Sequence, residues 1–109
     1  MSIDWRPFTK LVGESKSFVI TSHLRPDCDA IGSEIGLALA LRSMGKAVRI
    51  INGDAVPPHI RFMDPDGDVN VLAGDVSPVD IECDALIVVD TSAWAQLGPM
   101  ADVLRRSTA

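Results

Sequence analysis

The sequence predicts an α/β fold: a Rossmann-like, mainly parallel sheet with flanking helices. Three observations carry that expectation. Two apolar β-type runs, at about 17–22 and at Ala85–Val89, each end in a polar, acidic turn. A helix-type run separates the first of them from another β-type run at Ala47–Asn52. Strand, helix, strand at this spacing requires a crossover, and a crossover makes neighbouring strands parallel. With 109 residues, 47% of them apolar and 23% charged, the chain has room for one small globular core.

Taken in order, residues 4–15 read as an opening helix with Trp5, Phe8, Leu11 and Val12 on one stripe. The first strand follows at about 17–22. A helix then runs from about Ala30 to Met44, with Gly45 as its stop and Arg42 and Lys46 near its negative end. Ile31, Ile35, Leu37, Ala38, Leu39, Leu41 and Met44 spread around its circumference, which predicts cover on more than one side. The second strand, Ala47–Asn52, leads into an Asn-Gly-Asp turn. Pro57 and Pro58 forbid a long helix, leaving one short turn at His59–Met63. Val69–Leu72 reads as a weak strand and Ala85–Val89 as the strongest one. Pro99 suits the start of a last helix at about 100–106. If the first and last strong strands are neighbours, His23 and Asp90 emerge at one sheet edge.

Composition excludes several classes of function. A net charge of −5, from 10 basic and 15 acidic residues, argues against a broad basic surface for duplex nucleic acid. It leaves room for a mononucleotide or a short oligonucleotide, because bound cations supply local positive charge. Cys28 and Cys83 form no disulfide framework, residues 1–12 lack a signal-peptide core, and no apolar run approaches the roughly 20 residues of a membrane span. A cytoplasmic protein with no membrane partner is the expectation.

The chemistry concentrates between His23 and Ser33, where a strand turns into a helix. One imidazole, His23, and two carboxylates, Asp27 and Asp29, fall in that turn, and Asp90 ends another strand. Each has an ordinary explanation: Asp29 as a helix cap, Asp27 after Pro26 as a turn residue, Asp90 in an Asx turn, His23 at a strand end. Together they exceed what capping needs. A nitrogen and several carboxylate oxygens suit a divalent metal that activates water. Gly32 would let backbone approach a ligand, and Gly32 and Ser33 at the helix start would receive phosphate oxygen. Cys28, between two ligands that turn away from it, is expected to pack, and Cys83 to lie in a loop or strand start. His59 is expected at the surface or in packing. Asp64 to Asp68 lacks the spacing and terminal Glu of a calcium loop and reads as a solvated turn.

His23-x-x-Pro26-Asp27-x-Asp29-Ala30-Ile31-Gly32-Ser33 resembles the first motif of the DHH phosphoesterase superfamily, and Val88-Val-Asp90-Thr-Ser92 resembles its second. Family II pyrophosphatases share the His-Asp-Asp start. Ala30 to Ser33, Gly45-Lys46 followed by Val48 to Asn52, and Pro57 to Phe62 lean toward the bifunctional oligoribonuclease and PAP phosphatase (nano-RNase) group. The likeness covers roughly residues 15–98, and Gln96 departs from the arginine usual before Leu-Gly.

This resemblance implies two manganese ions, with magnesium or cobalt as substitutes. His23 and Asp27 would hold one, Asp29 the second, and Asp90 would contact both, making Asp29 and Asp90 the catalytic carboxylates. The implied substrates are short single-stranded RNA oligonucleotides and 3′-phosphoadenosine 5′-phosphate. The Asp-His-His motif expected after Asp90 does not occur in residues 1–109, nor does a C-terminal substrate domain. The chain therefore reads as the N-terminal part of a DHH phosphoesterase domain, inactive alone. Alternatives are a cyclic-dinucleotide phosphodiesterase or pyrophosphatase of the same superfamily, or a non-catalytic truncated Rossmann-like module.

Overall fold

The computed structural model describes residues 3–72, 81, 83–90, 97, 98, 100, 101 and 103. Helix α1 (Arg6–Glu14) leads into β1 (Ser17–Thr21), then α2 (Cys28–Ser43), β2 (Ala47–Asn52), a 3-10 helix (Pro58–Met63), β3 (Val69–Val71) and β4 (Ala85–Val88). The four strands form one sheet in the order β3-β2-β1-β4, and every pairing is parallel. The α/β, Rossmann-like expectation holds.

β1 is central because it can be buried on both faces. Phe18 and Ile20 face α2, together with Val48 and Ile50 of β2 and Ile31, Ala38 and Leu41 of the helix. Val19 and Ile51 face the other way, against Leu72, Leu97, Met100, Ala101 and Val103. Met100, Ala101 and Val103 are helical, so that face too is covered; the rest of the helix expected at 100–106 lies outside the described residues. From β1 the chain moves to β2 on one side, while β4 pairs on the other. The order reverses between β1 and β4, and the crevice beyond their carboxyl ends is where open α/β sheets bind ligands. No helix of the described residues is long and apolar enough to cross a membrane.

Three local readings need correction. α2 begins at Cys28 rather than Ala30, because Asp27 is its cap: the extended Asp27 accepts the Ala30 N–H on Oδ1 at 2.9 Å. α2 is also not covered all round. It buries the stripe Ala30, Ile31, Glu34, Ala38 and Leu41 against the sheet, leaving Leu39 61% and Met44 59% exposed. Finally, the acidic turn after the 3-10 helix is not simply solvated. Asp64 is buried, with its two oxygens accepting the N–H groups of Asp68 (2.8 Å) and Val69 (3.0 Å) at the entrance to β3. Asp68 in turn receives both arms of Arg42, at 2.7 and 3.0 Å, and Arg42 also donates to the Val48 carbonyl. The backbone amides entering a short strand need acceptors, and Asp64 supplies two.

The stripe anticipated on the opening helix forms, but it is shallow. Val12 alone of it is buried, and Trp5 and Phe8 meet edge to face at 6.1 Å near the surface.

Removing the two acceptors of Asp64 strands buried amides, so Asp64→Ala should cost about 2 kcal/mol of unfolding free energy. Asp66→Ala, on the exposed side of the same turn, should change it by less than about 0.5 kcal/mol. Urea titrations of the two variants check this; equal midpoints would contradict the acceptor role.

Candidate metal centre

The β1–β4 ladder runs one residue past β4, with the Val89 N–H donating to the carbonyl of Thr21, the last residue of β1, at 2.9 Å. His23 and Asp90 therefore leave the sheet side by side. His23 Nε2 lies 3.0 Å from Asp90 Oδ2 and 3.8 Å from Asp27 Oδ1. One ligand atom from each of His23, Asp27 and Asp90 falls within 4.8 Å of the others. His23 and Asp90 are partly sheltered, whereas Asp27 opens to solvent.

The tautomer of His23 follows from its neighbours. Nδ1 lies 2.6 Å from the Leu24 carbonyl oxygen, which can only accept, so Nδ1 carries a proton. Nε2 is then the nitrogen turned to the carboxylates. In the absence of a cation a proton on Nε2 satisfies Asp90, and the imidazole is held above its ordinary pKa. The Leu24 carbonyl raises it most, burial opposes, and Asp90 and Asp27 add to the rise. Without that proton, a lone pair and two carboxylates would face one another, an arrangement that a divalent cation relieves. The donor set fits such an ion on chemistry as well: imidazole nitrogen with carboxylate oxygens.

The backbone around these groups is strained. Among the described residues only Arg25 (φ 53°) and Asp90 (φ 61°) are non-glycine residues at positive φ, and both border the site. Arg25 is held by its N–H donating to Asp54 Oδ2 at 3.0 Å. Such strain collects where side-chain aim matters more than stability. Leu24 is fixed from the other side by Gly98. At φ 57°, a Cβ on Gly98 would come within 2.6 Å of the Leu24 side chain.

Other anticipated residues fall elsewhere. Asp29 is exposed in the first turn of α2, outside the group of three. The earlier helix start also moves Gly32 and Ser33. Helical hydrogen bonding begins with the Ile31 N–H to the Asp27 carbonyl (3.0 Å), so the amides of Gly32 and Ser33 lie inside the helix and not at its open end. That leaves the exposed Ser33 hydroxyl as the group able to meet a phosphate there. A Cβ on Gly32 would meet Met63 at an ordinary 3.6 Å, so packing does not require glycine. Cys28 does not pack; it is exposed, because the helix turns residue 28 outward beside its cap. Cys83 is half-buried just before β4, where burial pushes its thiol up, and His59 is exposed, both as expected. Thr91, Ser92 and Gln96 lie outside the described residues.

A second group was not anticipated. Glu34 is fully buried behind the site. Its Oε1 accepts from Asn52 Nδ2 at 2.9 Å and from Ser22 Oγ at 3.2 Å, while Oε2 is buried without a hydrogen-bond partner. Burial pushes the Glu34 carboxyl up to about 7; Asn52, Ser22 and the charge of His23 pull it down, and Asp64 adds to the rise. A signal was present in the sequence: Glu34 shares the stripe of Ile31, Ala38 and Leu41, where a charge is out of place.

No protein-family model matches the chain, and no curated protein matches it. Among solved structures it is similar to the crystal structure of an exopolyphosphatase-related protein from Bacteroides fragilis, with 30% identity and a TM-score of 0.84. The match takes in 94% of this chain and 31% of that one, so the chain spans about a third of that protein's length. That likeness supports the fold; it does not single out the oligoribonuclease and PAP phosphatase group.

Glu34 and His23 make stability depend on pH in one direction. Between pH 4.5 and about 7 the folded protein keeps a proton on Glu34 that the unfolded chain has released. His23, also raised, is protonated in the folded state above its unfolded pKa. In metal-free buffer, stability should therefore fall from pH 5 to pH 8, with Glu34 contributing on the order of 3 kcal/mol. Glu34→Gln should flatten most of this decline while leaving the share due to His23. Urea midpoints at intervals across that range test it; a midpoint that climbs with pH would rule the assignment out.

Gly98→Ala should destabilise the fold by about 1–2 kcal/mol, through its positive φ and the displaced Leu24. The amide resonances of Leu24 and His23 should shift with it. Unmoved resonances would show that Leu24 is held by something else.

Proposed function

We propose that this chain carries a divalent-cation centre of a phosphoesterase-type hydrolase. The observation that carries the reading is the meeting of His23 Nε2, Asp27 and Asp90 within 4.8 Å, at the point where the strand order reverses. The likeness to an exopolyphosphatase-related protein supports the same class of chemistry.

In this reading His23, Asp27 and Asp90 hold one manganese ion, and Asp29 and Asp90 serve a second, with magnesium or cobalt as substitutes. A bound ion of this kind polarises a phosphoryl oxygen and makes water a stronger nucleophile at neutral pH. The chain's own part is orientation. The Leu24 carbonyl keeps the Nδ1 proton of His23 in place and so offers Nε2 as the ligand. Asp27 caps α2 with the same Oδ1 that lies nearest His23, which ties its carboxylate to the helix. The strained Asp90 aims its carboxylate back at His23. The exposed Ser33 hydroxyl and the positive end of α2 are the groups that would meet a phosphate.

For substrate we favour short single-stranded RNA oligonucleotides and 3′-phosphoadenosine 5′-phosphate, on the motif from His23 to Ser33. A second reading, hydrolysis of a phosphoanhydride such as pyrophosphate, is favoured by the exopolyphosphatase-related neighbour.

Manganese binding followed by electron paramagnetic resonance tests the centre. Asp90→Asn and Asp27→Asn should each weaken binding about 10- to 100-fold, whereas Asp66→Asn should leave it within about twofold. A dinucleotide, 3′-phosphoadenosine 5′-phosphate, pyrophosphate and a cyclic dinucleotide, offered in parallel with manganese, decide the substrate. Binding that is indifferent to Asp90→Asn would remove the centre from this site.

A further inference from the structure

We propose that Glu34 is the positioning residue of this centre: through Asn52 and Ser22, its buried carboxyl sets the orientation of His23. The proposal rests on reading His23 as a cation ligand, and it concerns a residue that touches neither cation nor substrate.

Three elements meet at Glu34. It projects from α2 onto the carboxyl ends of β1 and β2, where its Oε1 accepts from Asn52 Nδ2 (2.9 Å) and Ser22 Oγ (3.2 Å). Asn52 then presents Oδ1 to the backbone N–H of Ser22 at 3.1 Å and to the Thr21 hydroxyl at 3.3 Å. Ser22 is the residue immediately before His23. Backbone fixed at Ser22 sets where the His23 Cα starts, and the Leu24 carbonyl then sets the ring.

The direction of the Asn52 amide decides whether this works. An amide has a donor end and an acceptor end of nearly the same shape. If it flipped, its NH2 would face the Ser22 N–H, donor against donor. Glu34 prevents the flip because its Oε1 offers the NH2 group an acceptor. An apolar side chain would leave the NH2 group without that acceptor, and the amide would be held at its Oδ1 end by the Ser22 N–H and the Thr21 hydroxyl.

Stability alone does not account for a carboxyl here. Glu34 has no exposed surface, and its Oε2 is buried without a hydrogen-bond partner. Its neighbours on the stripe, Ile31, Ala38 and Leu41, are apolar. A carboxyl left half-satisfied in the interior costs stability, so its presence here is explained by what its Oε1 orients.

The test uses the two histidines of the chain. In the uniformly 15N-labelled protein at alkaline pH, where the ring is neutral, imidazole spectra report the tautomer of His23, with the exposed His59 as internal control. Glu34→Leu should mix the His23 tautomers and weaken manganese binding about tenfold. Glu34→Gln, whose carbonyl accepts from the same two donors, should restore both to within about twofold. His59 should not change in either. Should Glu34→Leu fail to fold, Asn52→Ala removes the next link and should produce the same His23 change. A His23 spectrum unmoved in both Glu34→Leu and Asn52→Ala overturns the proposal, as does Glu34→Gln behaving like Glu34→Leu. If His23 responds as expected while the unmutated protein binds no manganese, the positioning role stands and the metal reading falls.

Discussion

β4 lies beside β1, and the candidate centre depends on that pairing. Phe18 registers with Ala85 and Thr21 with Val88, so two segments far apart in sequence end at one level. The pairing is tied at its opposite end as well. Asp84 accepts the N–H groups of Lys16 and Ser17, and its own N–H donates back to Ser17. Register between parallel strands is fixed when both ends are anchored, and a slip of one residue would bring the wrong faces of β1 and β4 together, parting Ile20 from Ile87. A slip would also part His23 from Asp90, so the apolar packing in the sheet and the polar cluster at its edge are protected by the same constraint.

The cluster itself is an unfavourable arrangement held by favourable surroundings. Carboxylates, a raised imidazole, two residues at positive φ and a buried carboxyl all crowd one end of the sheet. The positive φ angles and the buried carboxyl cost stability, and the groups are held by neighbours: Asp27 by its cap bond, Arg25 by Asp54, Leu24 by Gly98, Glu34 by Asn52 and Ser22. Sites that bind charge are commonly built so, with the expense met by the core beneath them.

How much of this could be read without coordinates varied with the physics involved. The continuous apolar runs and the turn chemistry of Gly45 and Asn52 are local, and they made the parallel sheet and most element limits legible. The motif from His23 to Asp29 was legible as chemistry, since no single cap accounts for it. Cap position was not: Asp27 and Asp29 are equally good caps on composition, and the choice is made by backbone geometry that brings the Ala30 amide to Asp27. That choice moved the helix start by two residues, put Gly32 and Ser33 inside the helix and turned Cys28 outward. The cover of α2 is not legible from apolar content, because apolar residues surround the helix while one sheet face buries only one stripe of them. The roles of Asp64 and Glu34 depend on partners from other elements, Asp68 and Val69 for the one and Ser22 and Asn52 for the other.

The contact of Leu24 with Gly98 bears on how the protein is assembled. The β1–α2–β2 half is contiguous in the chain and pairs through nearby contacts, so it can form early. Asp90 and Gly98 follow that half in sequence, and they reach the centre only when β4 docks along the free edge of β1. A chain emerging from the ribosome would thus hold His23 and Asp27 in place before Asp90 could join them. The group of His23, Asp27 and Asp90 is complete only once β4 has paired with β1.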